Sequence, residues 1–163
     1  MPDEEAAASM DGAQRLKQAF EDNLRAICDI FAQEPGVVAA YLHGSYAEGW
    51  PTPLSDLDFA VLLTAEAAAK GWEVELRLQG AISRLLNSDE VDLKGLNGAP
   101  LVFQMLVITR GKLLYVRDDD ARVWWEVRAL GEWMDFQPLH DLQDECMLRR
   151  IEEGTFGHGR QSR

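Results

Sequence analysis

The stretch Gly44–Val61, GSYAEGWPTPLSDLDFAV, constrains this chain more than any other. An apolar run, Val37–Leu42, leads into a Gly-Ser turn. A second apolar run carries Asp56 and Asp58 and continues through Val61, Leu62 and Leu63. Both runs have the length and composition of buried strands. Residues two apart in a strand share a face, so Asp56 and Asp58 project side by side. Two carboxylates so placed repel each other unless a cation sits between them. Oxygen ligands of this kind suit Mg²⁺, which is typically held by one or two carboxylates together with substrate phosphates. The Gly-Ser turn, opening a short helix, offers backbone N–H groups and a hydroxyl to an anion. Gly44 and Ser45 are thus candidate phosphate-binding residues, and Asp56 and Asp58 candidate metal ligands. Pro51 and Pro53 make residues 50–54 a rigid loop between the two.

The rest of the chain supplies a scaffold for this stretch. Leu16, Phe20, Leu24, Ile27 and Phe31 form a helical stripe that Pro35-Gly36 stops. Ala65 to Leu86 reads as a helix with Val74, Leu78, Ile82 and Leu85 on one face. Glu90 to Leu93 alternates as a strand does, Leu101 to Thr109 is a short apolar helix, and Lys112 to Val116 is a last strand. Asp118-Asp119-Asp120 starts a final helix, where acids suit the positive N-terminal end. On it Val123, Val127, Leu130 and Met134 make one stripe, with Trp125 and Trp133 pointing broadly away from it. The two tryptophans would meet either a partner or the segment from Leu139 to Ile151 folded back over them. The 163 residues suffice for one domain with a proper core, spanning 11–153 between disordered ends at 1–10 and 154–163.

Charge narrows the function. A formal net charge of -12 and a pI near 4.6 describe a surface that repels nucleic acid and anionic membrane. Template copying is therefore disfavoured. Two cysteines, Cys28 and Cys146, lie far apart without metal-ligand spacing and read as reduced thiols of a cytosolic protein. No run is long enough to span a membrane and no signal peptide opens the chain, so a cytoplasmic location is expected.

Ten residues separate Ser45 from Asp56, giving Gly-Ser-x10-Asp-x-Asp. This pattern resembles the signature of the nucleotidyltransferase superfamily that includes DNA polymerase β, most closely its minimal nucleotidyltransferase (MNT) branch. The run from Val91 through Phe136 is also similar to MNT antitoxins paired with HEPN-domain toxins. The resemblance implies an α/β (α+β) fold with a small mixed sheet flanked by helices. It further implies transfer of AMP from ATP to a tyrosine of the toxin, silencing its RNase, with two Mg²⁺ ions. The family's third carboxylate, general base or metal ligand, falls at Asp92 by order along the chain, with Glu90 as the competitor on its face. One position departs from the family: Gly-Ser-x-Ala-Arg-Gly is common there, and here the Arg is Glu48. His43, just before Gly44, reads as a space-filling residue at a strand end rather than a phosphate contact. Two alternatives stay open: an antitoxin that binds and occludes without catalysis, and a small-molecule, antibiotic-modifying nucleotidyltransferase.

Overall fold

The computed structural model describes residues 2–52, 54–70 and 72–152, with side chains from residue 12 onward except at 139 and 142. The expected tail at 154–163 lies outside them. The elements run α1 (Pro2–Gln33), β1 (Val37–His43), α2 (Gly44–Glu48), β2 (Leu57–Leu63), α3 (Ala65–Ala68), α4 (Trp72–Leu86), β3 (Val91–Gly95), α5 (Leu101–Arg110), β4 (Lys112–Val116) and α6 (Asp119–Glu152). α1 takes in residues 2–10, which composition led us to expect frayed; their Ala and Glu are strong helix formers.

The strands form one mixed sheet in the order β3-β2-β1-β4. β1 pairs antiparallel with β2 and β4, while β2 and β3 run parallel. β1 is buried along its whole length, because helices cover both faces of the sheet and two strands its edges. On one face Leu42, Leu57, Phe59, Val61 and Leu93 meet Phe20, Ile27 and Phe31 of α1 and Val74, Leu78 and Ile82 of α4. The ring of Phe59 lies 6.1 Å from those of both Phe20 and Phe31. On the other face Ala39, Tyr41, Ala60 and Leu62 meet Leu96, Val107 of α5 and Trp125 of α6. The register slips between Val37 and Ala39, a bulge that turns both Val38 and Ala39 toward the second face.

Three helical expectations are revised. Leu24 lies exposed, off the stripe that buries Leu16, Phe20, Ile27 and Phe31. The helix expected over 65–86 is two, α3 being a single turn whose Thr64 accepts from the Ala67 amide. The inward face of α6 is also reversed. Trp125 and Ala129 are 8% and 1% exposed, whereas Val127 and Met134 are 56% and 67% exposed. The small Ala129 one turn after Trp125 lets the helix approach the sheet closely, and a stripe of mid-sized aliphatics gives no such fit. Trp125 is therefore part of the core, not a side chain standing free of it. α6 continues without folding back, and Trp133 packs on Phe136 and His140 of its own helix. Among the described residues no helix is long and apolar enough to cross a membrane.

Candidate active site

The sheet brings functional side chains together by register alone. His43 of β1 stands opposite Asp58 of β2, and Asp58 opposite Asp92 of β3. The alternation that buries Leu57 and Phe59 on the α1/α4 face sends Asp58 to the other face, with Asp92 beside it. Glu90, the competitor of Asp92, precedes β3; its carbonyl accepts from the Leu57 amide. Asp56 lies one residue ahead of β2 and is exposed, at the end of a loop closed by the Thr52 amide donating to Ser55 Oγ at 2.9 Å.

Gly44 starts α2 immediately beside this row. Its φ is +69°, the left-handed region, and a Cβ there would collide with the Asp58 carboxylate. The turn and the carboxylate thus share space that only glycine leaves free. No side chain caps the start of α2, so the amides after Gly44 and the half-buried Ser45 stay available to an anion. Gly49, at φ +90°, ends the helix by donating its amide to the Ser45 carbonyl at 2.9 Å.

Electrostatics follow from the crowding. Burial pushes the Asp58 carboxyl above its ordinary value; His43 pulls it back, Asp92 raises it again, Lys94 lowers it and Asp56 adds a small rise. Burial holds the His43 imidazole below its usual value, against the pull of Asp58. That ring is 7% exposed and meets Phe103 of α5 edge-on at 5.2 Å, so it does fill space as expected. It also belongs electrostatically to the site, a role our reading of the sequence set aside. Lys94 was missed altogether. Its Nζ lies 2.8 Å from Asp92 Oδ2, a bond that raises its basicity. The available signal was its position two residues after Asp92 on the same strand.

Glu48, the departure noted above, faces Arg110 at the end of α5, 3.7 Å away. A cation therefore stands beside the acid at this position. Arg110 and Phe103 also line an open cavity of about 530 Å³ between α5 and α6, which reaches Trp133.

Among the described residues no three His, Cys, Asp or Glu side chains enclose a metal by themselves. The donor chemistry nonetheless suits Mg²⁺, which takes one or two carboxylates from protein and the remainder from phosphates and water. Asp58 and its register partner Asp92 are such a pair.

Residues 25–120 match the family model described as polymerase beta, nucleotidyltransferase. The chain is 39% identical over 105 residues to the protein adenylyltransferase MntA of Shewanella oneidensis, covering 63% of this chain and 70% of that relative. A crystal structure of a mutant MntA-containing toxin–antitoxin superposes with a TM-score of 0.61 at 25% identity, over 77% of this chain and 98% of that one. A toxin–antitoxin structure with AMP-PNP gives 0.54 at 25% identity, over 82% and 97%. The family model covers more than half the chain and holds the Gly-Ser turn, β2 and β3 with their carboxylates. This chain belongs to the polymerase β nucleotidyltransferase family and has its fold.

Proposed function

We propose that this protein is an antitoxin that transfers AMP from ATP to a tyrosine hydroxyl of a HEPN-type toxin, in a Mg²⁺-dependent reaction. The observation that carries it is the row His43–Asp58–Asp92 beside a left-handed Gly44 that makes room for Asp58. The relative's name, protein adenylyltransferase, and the AMP-PNP of a neighbour support the reaction and the nucleotide.

In this reading the amides at the start of α2 and the hydroxyl of Ser45 hold the triphosphate in line, contributing position rather than covalent chemistry. Asp58 and Asp92, with Asp56 at the entrance, would hold Mg²⁺ together with phosphate oxygens, and the metal would supply charge stabilisation to the attacking and leaving oxygens. Asp92, whose side chain is 38% exposed, takes or relays the proton of the acceptor hydroxyl. The hydroxyl attacks the α-phosphorus and pyrophosphate leaves. His43, packed on Phe103 and opposite Asp58 in the strand register, helps to fix the position of Asp58. The Glu48–Arg110 pair keeps the acid from standing unbalanced beside the triphosphate.

Incubation with ATP, Mg²⁺ and a HEPN protein should add about 329 Da per AMP to a tyrosine of that protein. Chelating Mg²⁺ should leave its mass unchanged. Silencing by stoichiometric protein with no mass shift would instead establish occlusion, the reading that Glu48 alone favoured.

A further inference from the structure

We propose that Lys94 is a resident counter-cation of the carboxylate site, holding Asp92 until metal and triphosphate arrive together and then releasing it to bind the phosphates. The inference rests on the reading of Asp56, Asp58 and Asp92 as the metal-holding carboxylates.

Parallel register sets Asp92 against Asp58 and, two residues on, Lys94 against Ala60. Ala60 is small, so the lysine stem meets no bulky neighbour from β2 as it turns back toward Asp92. Its ammonium reaches Asp92 Oδ2 at 2.8 Å, and its charge is felt by Asp58 and His43 as well. One monovalent cation therefore serves a group of carboxylates that a divalent ion would otherwise balance. The pair is open to solvent, with side-chain exposures of 56% for Lys94 and 38% for Asp92. Such a pair is weak and exchanges readily.

Lys94 and a metal cannot both occupy Asp92 without like-charge repulsion. A bare divalent ion must displace the lysine without recompense. An ion that arrives with a triphosphate brings oxygens for the freed ammonium, whose three donors suit a phosphate chain. The lysine thereby couples metal entry to nucleotide entry.

The test is a Mn²⁺ titration of the full chain without nucleotide, by calorimetry. Lys94→Met should tighten Mn²⁺ binding about fivefold or more, the scale of one unit charge removed at contact distance in a solvated site. Lys94→Arg, which keeps the charge, should bind as the parent does. With AMP-PNP present the order should reverse, the Lys94→Met protein binding the analogue more weakly. Equal Mn²⁺ affinity in Lys94→Met and parent would overturn the proposal, as would tightening in Lys94→Arg. Asp58→Asn separates this from the underlying reading. If it abolishes Mn²⁺ binding and transfer while Lys94→Met changes nothing, Lys94 alone is misassigned. If Asp58→Asn leaves both intact, the carboxylate site itself is misread and Lys94 falls with it.

Discussion

Gly44 and Asp58 are the pair on which the site depends most directly. Gly44→Ala adds a methyl group in a backbone region that costs about 1–3 kcal/mol for a side chain, and drives it into the carboxylate. Transfer should be lost, and the melting temperature should drop in the same protein. Asp58→Asn should separate those effects. Burial raises the folded-state pKa of Asp58, so its charged form is disfavoured by folding and its contribution is fully present only below the ordinary carboxylate value. That stability is lost as pH rises from about 4 through the folded pKa. In metal-free buffer Asp58→Asn should therefore melt at or above the parent temperature near neutral pH, while transfer disappears; a lower melting temperature would show that Asp58 is held by favourable contacts instead. Much of this was legible beforehand. The spacing from Ser45 to Asp56 and Asp58 can be read directly, since it is local, spanned by α2 and the loop into β2. Asp92 was reachable by order and alternation. Lys94 was not, because its meaning depends on which strand lies beside β3 and in which direction.

At the scale of elements, α6 carries the clearest lesson. It has apolar residues on all sides, so periodicity offers no single face, and the choice is made by fit against β1 and α5. Two adjacent tryptophans now separate core from surface. Trp125→Ala should cost about 3–5 kcal/mol of stability, as buried aromatic truncations do. Trp124, 74% exposed, should cost within about 0.5 kcal/mol when changed to Ala. Urea midpoints of the two variants check this, and equal losses would contradict the burial of Trp125. A second element-scale feature joins α1 to β1. The Arg117 guanidinium donates to the carbonyls of Ala32 (2.6 Å), Glu34 (3.2 Å) and Val37 (3.0 Å), closing the end of α1 over the turn. Arg117→Met should lose about 1–2 kcal/mol, the lower part of the range for hydrogen bonds to charged groups because the side chain is largely exposed. Transfer measured below the melting temperature should be unaffected, since this end of β1 is remote from Gly44. The strands themselves were legible as runs; the break between α3 and α4, after Ala68, was not, because apolar periodicity alone does not mark it.

The whole molecule is a sheet with a core on each face and β1 common to both. Neither core can loosen without exposing β1, so the two should unfold as one unit. Phe59→Ala, in the α1/α4 core, should lower stability by about 3–5 kcal/mol. The fluorescence of Trp125, which lies in the other core, should shift at the same denaturant concentration as the far-ultraviolet signal. Separated transitions would mean that the two cores fold independently. The mixed class of the sheet was legible from a helix standing between two strand-like runs, whereas the edge position of β4 was not. One consequence concerns manufacture rather than mechanism. β2 and β3 run parallel, so the chain must cross over through α3 and α4 before Asp58 finds Asp92. A nascent polypeptide therefore carries the Gly44 turn, Asp56 and Asp58 before Asp92 has been made. Asp58 and Asp92 therefore become neighbours only once this non-local parallel pairing has formed, the slower kind of contact in the sheet.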